Sequence, residues 1–291
     1  MEKIEPYVKA FTAYLKSLNK SFHTTKQYAL DAKQFAEIIQ HENQINEALQ
    51  LYSKTIKEKY PSFNSVNRKF ASIRHFLIFL QLRGVVSVYN EEIIAPLTKH
   101  DTELNVLKEK QFNRALAFWP KQYEIALNEE HEWLALRNTA IVFTVAELGI
   151  KPAELVRMEW KHIHAEKHEI IVLASKGYRV LQCSKKLMEL LEDYKRHTME
   201  FMPLTEHSPY VWLGVGNKMG EPVTVKTIER IFKAMSEQLQ FKVTATNMRY
   251  YAIQKLLTKK EDPKALYEQF GYARKGVLLE REQRFPKNRS Y

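Results

Sequence analysis

Apolar side chains recur every three or four residues through much of the first hundred positions. In residues 62–84 the apolar positions follow one face of a 3.6-residue period, and they are Val66, Phe70, Ile73, Leu77 and Leu80. The same spacing occurs in residues 6–18 and 21–39. The pattern therefore predicts three amphipathic helices in this part of the chain.

The pattern in the second half alternates between helical stretches and two short β-branched runs. Residues 169–173 and 178–183 are separated by four residues that include Gly177, which predicts a β-hairpin. The segment 134–149 is nearly all apolar, so we expect a buried helix that Gly149 ends. Further helices are predicted over 107–118, 152–160, 185–201, 225–240, 246–257, 263–270 and 277–284.

The helical period is lost between residues 85 and 105, where Pro96 also falls. We interpret this segment as a linker that lets two domains close around a partner. The predicted division is a helical domain over 1–95, a linker over 96–105 and a second domain over 106–291. A length of 291 residues is consistent with two domains.

Charge adds a candidate partner to this picture. The formal net charge is +11, and residues 106–291 contribute 31 basic against 23 acidic side chains. Such an excess favours a polyanionic binding partner, because basic side chains that neutralise phosphates release counterions and this release drives association. A generically basic protein is the open alternative. Basic polar faces on the first helices, with Lys26, Arg68 and Arg74, favour DNA.

Several classes of chemistry have no support in the sequence. The one cysteine, Cys183, excludes an intramolecular disulfide and a cysteine-based zinc site. The ten histidines form no HExxH motif, and no GxSxG or phosphate-binding glycine loop occurs. We therefore predict no metal and no cofactor. No apolar run is long enough for a bilayer and no secretion signal opens the chain, so we expect a cytoplasmic location and no membrane partner.

Four short motifs follow one another in the second half: LGIKPAEL at 148–155, a hairpin tip with Lys176, TATNMR at 244–249 and QFGY at 269–272. This order resembles the tyrosine recombinase (phage integrase) family, and the first hundred residues are similar to the family's core-binding domain. The resemblance implies a mainly α (α+β) fold. It would comprise an N-terminal helical, SAM-like domain and a C-terminal catalytic-domain fold with a small antiparallel sheet.

Members of this family cut DNA with a tyrosine, which bonds to a 3′-phosphate and frees a 5′-hydroxyl without a metal. Arginines clamp the phosphate and a hairpin lysine protonates the leaving group. The family's hairpin lysine corresponds to Lys176, and the arginine of its His-x-x-Arg motif to Arg249. Three positions differ from the family: Lys151 replaces the first arginine, while Thr246 and Tyr272 replace two histidines.

The nucleophile is expected nine or ten residues beyond Tyr272, yet residues 277–285 contain no tyrosine. Tyr291 is the last residue, and Tyr250 and Tyr251 are alternatives beside Arg249 for which core packing is the simpler interpretation. We therefore predict a scaffold that binds double-stranded DNA specifically and is not an enzyme, with a role as a transcriptional regulator or repressor, for instance in prophage lysogeny.

Two other hypotheses stay open: an active or weakly active recombinase with a displaced nucleophile, and an accessory protein of a recombination complex. Self-association through residues 277–291 is a further expectation from the resemblance. The predicted DNA contacts are Lys26, Arg68, Arg74, Lys151, Lys176, Arg179, Lys226, Arg230 and Arg249.

Overall fold

Helices dominate the chain, and they fall into two compact units, Met1–Asp101 and Thr102–Tyr291. The computed structural model describes residues 5–39, 44–98, 103–174, 177–258, 263–272 and 276–286. The predicted mainly helical fold with a small antiparallel sheet is confirmed.

The first unit is built from α1 (Glu5–Ser17), α2 (Phe22–Ile39), α3 (Ile45–Lys59) and α4 (Phe63–Leu82). Its core contains the apolar face predicted for α4, because all five of those side chains are buried. Aromatic rings from α1 and α4 fill the space between these helices, with Phe11 4.9 Å from Phe76 and 5.6 Å from Phe79 between ring centroids. The periodicity argument had not predicted α3.

The segment after α4 packs onto the first unit as far as Leu97. Val86, Tyr89 and Ile94 are buried in the core of that unit, and the Asn67 side chain exchanges two hydrogen bonds with the backbone of Leu97. The interpretation of 85–105 as a linker is therefore wrong up to this point. The backbone here is mostly irregular, so its buried apolar side chains do not recur with the helical period by which the other core segments were recognised.

The second unit holds the remaining elements: α5 (Glu109–Leu116), α6 (Phe118–Glu124), α7 (Glu129–Leu148), α8 (Pro152–Leu155), β1 (Ile163–His164), β2 (Glu169–Leu173), β3 (Tyr178–Gln182), α9 (Lys185–Phe201), α10 (Val225–Leu239), α11 (Ala245–Thr258), α12 (Pro263–Gln269) and α13 (Gly276–Glu282). The strands form an antiparallel sheet in the order β1-β2-β3. As predicted, α7 is buried along most of its length and ends at Gly149, whose φ is +58°.

Two local predictions for the second unit are corrected. The helix expected over 152–160 stops after one turn at Leu155, since Glu159 forms a β-bridge with Tyr210. The helix predicted to begin at Thr246 begins at Ala245, because Thr244 caps it by accepting from the Asn247 amide at 3.1 Å. Thr246 is exposed in its first turn. The pairing of β1 with β2 and helix α6 had not been predicted.

Within the described residues, no helix is long and apolar enough to cross a bilayer.

Candidate active site

Three cationic side chains from three separate elements converge on one backbone turn. They are Lys151 at the start of α8, Arg179 in β3 and Arg249 in α11. They donate to three successive carbonyl oxygens at the end of α12, those of Gly271, Gln269 and Phe270 respectively. Since carbonyls at a helix C-terminus carry partial negative charge, the cations stabilise this turn.

Arg249 is the most enclosed of the three, with 5% of the residue exposed. Its two terminal nitrogens donate to the Gly149 carbonyl at 2.5 Å and to the Phe270 carbonyl at 2.7 Å. The guanidinium therefore joins the end of α7 to the end of α12. Burial lowers the pKa of Arg249, while the neighbouring Tyr272 and Glu154 act in the opposite direction.

A buried carboxylate, Glu154, is the counter-charge of this cluster. Its two oxygens accept a fork of hydrogen bonds from Arg179 at 3.0 and 2.8 Å, and one of them accepts from the Lys151 backbone amide at 2.8 Å. Burial by itself would raise the pKa of this carboxyl. The hydrogen bonds from Arg179 and Lys151, and their charges, outweigh it and hold the pKa below the ordinary 4.5.

Two glycines allow the backbone to approach the cluster closely. A Cβ on Gly271, where φ is +57°, would stand 2.7 Å from the Arg179 guanidinium. A Cβ on Gly149 would stand 2.5 Å from the ring of Phe270. Both positions thus require glycine for its conformation and for its lack of a side chain.

Tyr272 closes the cluster on one side and is buried to 8% exposure. Its ring centroid lies 5.2 Å from the Arg249 guanidinium carbon, so the cation faces the ring. Tyr272 also lines a cavity of about 730 Å³ between the β2–β3 hairpin and the end of α12. The other polar side chains of that cavity include Tyr178, Arg179 and Tyr267.

Lys151 is the part of the cluster that solvent reaches. Its side chain is 45% exposed, and its ammonium lies 2.7 Å from the Gly271 carbonyl and 3.6 Å from the Glu154 carboxylate. Partial burial lowers the pKa of Lys151, and the charges of Arg249 and Arg179 lower it further against the opposing effect of Glu154. This amine offers positive charge and a proton, without the planar fork of an arginine.

The other described candidate residues of the second unit are exposed to solvent. Thr246 is exposed in the first turn of α11, and Lys226 and Arg230 are exposed on α10, which packs against α8 and α11. Lys176, at the tip of the hairpin, falls outside the described residues.

The candidates in the first unit have different surroundings. Lys26 is exposed on α2. Arg68 forms an ion pair with the buried Asp31 at 2.5 Å, and Arg74 donates to the Ile94 carbonyl. Both arginines therefore contribute to the fold of the unit in addition to any contact with a ligand.

Sequence reasoning had identified the cations of the cluster but not Glu154. A signal for it was present, because a glutamate three residues after the residue that precedes a predicted helix matches the second half of a capping box, in which the carboxylate accepts from that residue's backbone amide.

Comparison with known proteins gives a consistent result. Residues 105–278, more than half of the chain, match the phage integrase family. "Tyrosine recombinase XerD-like" of Streptococcus mutans is 26% identical over 180 residues, which cover 62% of this chain and 65% of that protein. "Tyrosine recombinase XerC" of Anoxybacillus flavithermus is 25% identical over 287 residues, covering 94% and 91% of the two chains.

Solved structures share the fold. The XerH site-specific recombinase bound to difH substrate superposes with a TM-score of 0.70 at 14% identity, over 93% of this chain and 81% of that one. A lambda integrase dimer bound to a COC′ core site gives 0.67 at 13% identity, over 94% and 96%.

These comparisons correct one prediction. The expectation that the chain is not an enzyme is wrong, because the relatives that match it are named tyrosine recombinases, and such proteins are enzymes. The comparisons give no support to a repressor role either, and they favour the alternative of a recombinase.

Proposed function

Because the chain belongs to the phage integrase family, we propose that it is a DNA strand-exchange enzyme, a site-specific recombinase that cuts and rejoins double-stranded DNA through a tyrosine. The observation that carries this proposal is the cluster of Lys151, Arg179 and Arg249 beside a cavity that contains tyrosine. Covalent catalysis with a phenol needs such cations, since they stabilise the charge on a five-coordinate phosphate.

In this proposal the cationic cluster and the hairpin have different roles. Lys151, exposed and close to Glu154, meets the phosphate first as a point charge. Arg249 then stabilises the charge on the phosphate, once the turn at 269–272 moves and its guanidinium no longer donates to the Phe270 carbonyl. Lys176, whose hairpin borders the cavity, donates the proton that the leaving 5′-oxygen needs.

DNA affinity comes from a wider set of basic side chains. In the proposal Lys226 and Arg230 on α10 contact phosphates or base edges next to the cluster, and Lys26, Arg68 and Arg74 contact DNA from the first unit. Phosphate contacts position the protein and base contacts select the site. The residues 1–95 and 106–291 would hold opposite sides of the duplex.

Self-association through 277–291 is part of the same proposal. Leu279 on α13 is 53% exposed, whereas Phe285 is buried and the Leu104 amide donates to the Arg284 carbonyl at 2.8 Å. The tail thus combines a docked segment with an apolar side chain that a second copy could cover. Light scattering with and without DNA tests this, and a monomer under both conditions contradicts it.

The experiment for the main proposal selects bound duplexes from a randomised pool with the wild-type protein. A recovered duplex is then nicked close to its centre, so that the short strand released by cleavage diffuses away and the covalent complex accumulates. We expect a protein–DNA adduct that survives denaturation and disappears after protease treatment. Specific binding with intact strands and no adduct would reject the recombinase.

A further inference from the structure

We infer that Arg68 recognises a guanine in the major groove of bound DNA, while Asp31 holds its guanidinium in place. Arg68 lies on α4 and Asp31 on α2, both in the first unit. The inference rests on the DNA-binding part of the proposed function and names what one side chain reads there. It does not depend on strand cleavage.

The guanidinium of Arg68 is fixed on one side and open on the other. Its two terminal nitrogens donate to the Asp31 carboxylate at 2.5 and 3.4 Å, which engages two of its five N–H donors. The Asp31 side chain is 3% exposed, whereas that of Arg68 is 39% exposed. A buried carboxylate therefore orients an arginine whose other donors can reach a ligand.

Lys69 supplies a second cation to the same carboxylate. Its ammonium donates to Asp31 at 2.7 Å and to the Gln34 side chain at 3.2 Å, and it lies 4.9 Å from the centroid of the Tyr60 ring. Lys69 is itself buried, so it cannot reach a macromolecular ligand. Since folding needs only one cation to neutralise this carboxylate, the second cation, Arg68, is available for recognition.

The environment of Arg68 suits a base better than a phosphate. A carboxylate beside the guanidinium reduces its attraction for a full negative charge. Guanine instead offers two uncharged acceptors, O6 and N7, whose spacing matches the donors of an arginine. A side chain that is already oriented also loses less rotamer freedom on binding, which favours a contact of fixed geometry.

The surface around Arg68 can accept the edge of a groove. Helix α4 has 20 residues and is therefore about 30 Å long, and the major groove of B-DNA admits an α-helix. Asn64 and Ala71 lie four residues before and three residues after Arg68, on the same face. Asn64 is exposed and Ala71 is partly exposed, whereas Val66 and Phe70 are buried in the core. Base edges would thus meet small or polar groups.

Two other basic side chains of the first unit give the comparison. Arg74 is partly buried and donates to the Ile94 carbonyl at 2.5 Å, so it is the rival arginine for a base contact. Lys26 is exposed on α2 and offers a single point charge without a fork. Lys26 therefore suits a phosphate, and it serves as the matched control.

The test uses the full-length protein and the randomised duplex pool described above. Sequences enriched by wild type give the base preference at each position, and fluorescence anisotropy measures the affinity for single-base variants of the best site over a salt series. The same measurements are made on Arg68→Met, Arg74→Met and Lys26→Met. In a second set of duplexes 7-deazaguanine replaces each preferred guanine in turn, which removes the N7 acceptor and leaves base pairing intact.

We expect wild type to prefer guanine at one position by about 10- to 100-fold over the other bases, and Arg68→Met to reduce this preference to less than about threefold at that position only. At the same position 7-deazaguanine should weaken binding by wild type and leave binding by Arg68→Met unchanged. Lys26→Met should weaken binding to all sequences alike and reduce the slope of log K against log salt by about 1.

Several results would overturn the inference. Uniform weakening of all sequences by Arg68→Met, with a smaller salt slope, would make Arg68 a phosphate contact. An unchanged guanine preference in Arg68→Met, or its loss in Arg74→Met alone, would assign recognition to another residue. Wild-type binding without base preference also rejects the inference, whereas a covalent adduct on the nicked duplex would still support the recombinase.

The comparison does not depend on one variant. Asp31 keeps its contact with Lys69 when Arg68 is replaced, so we expect Arg68→Met to fold. If it does not, Arg68→Lys retains a cation beside Asp31 but loses the fork. The guanine preference of Arg68→Lys should then fall by about fivefold or more, and a preference equal to that of wild type would reject the inference.

Discussion

At the scale of single residues, Arg249 connects folding with chemistry. Replacing it by methionine removes both donors and leaves the carbonyls of Gly149 and Phe270 unsatisfied in a buried site. We expect Arg249→Met to lower the free energy of unfolding by about 2–4 kcal/mol, measured by urea denaturation. The exposed Arg230→Met serves as control and should change it by less than about 0.5 kcal/mol. Equal effects would contradict the structural role of Arg249.

The backbone at Gly271 gives a second prediction. Gly271→Ala adds a methyl group against the Arg179 guanidinium at a positive φ, whereas Gly216→Ala meets only the cost of φ +61° in open space. We expect the first variant to be less stable than the second by about 1–2 kcal/mol in thermal or urea unfolding. Equal stability of the two variants would show that the turn relaxes freely.

Residue identities at the site were predictable only where a motif carried them. The sequence motifs led to Lys151, Arg249 and Tyr272, because these occupy the family's positions. Lys151 and Arg249 donate to backbone carbonyls of other segments. Every residue has such a carbonyl, so the sequence does not show which ones become the partners. The fork between Arg179 and Glu154 joins residues 25 positions apart, so it too required the fold.

At the scale of elements, a buried ion triad joins α2 to α4. Asp31 accepts from Arg68 at 2.5 Å and from Lys69 at 2.7 Å, with both Asp31 and Lys69 buried. Asp31→Asn leaves Lys69 without its counter-charge, and we expect a loss of about 3–5 kcal/mol in unfolding free energy. The exposed pair Lys185–Glu189 offers the control, since Glu189→Gln should cost less than about 1 kcal/mol.

The link from α8 to β3 should depend on pH through Glu154. Its pKa is lowered in the fold, so its contribution is fully present above the ordinary value of 4.5 and is lost as pH falls through the lower, folded value. We expect the stability difference between wild type and Glu154→Gln to be constant above about pH 6 and to shrink below pH 4.5. A difference that grows on acidification would contradict this sign.

Strong periodicity predicted elements well, and weak periodicity did not. The bounds of α9 agree with the predicted 185–201, because Ser184 caps its start and its apolar face is regular. Helix α8 ended early because a bridge between Glu159 and Tyr210, 51 positions apart, replaced the helix. The short β1 pairs with β2 through two residue pairs only, too few to leave a pattern in the sequence.

At the scale of the whole molecule, the net charge of +11 predicts a strong salt dependence of DNA binding. Lys226→Ala and Arg230→Ala should each weaken binding and reduce the slope of log K against log salt by about 1, if each contacts one phosphate. Fluorescence anisotropy over a salt series measures this slope. Lys185→Ala is the control, and an unchanged slope in the α10 variants would place the DNA elsewhere.

The hydrogen bonds of Arg249 to Gly149 and Phe270 also affect how related sequences should be interpreted. An arginine that holds two buried carbonyls is retained by selection for a folded, abundant protein, whether or not its other role persists. Its presence in a homologue is therefore weak evidence of activity. The half-exposed Lys151 is under less of this constraint. Whether relatives retain or replace the residue at position 151 should therefore indicate the loss of catalytic activity better than whether they retain the arginine at position 249.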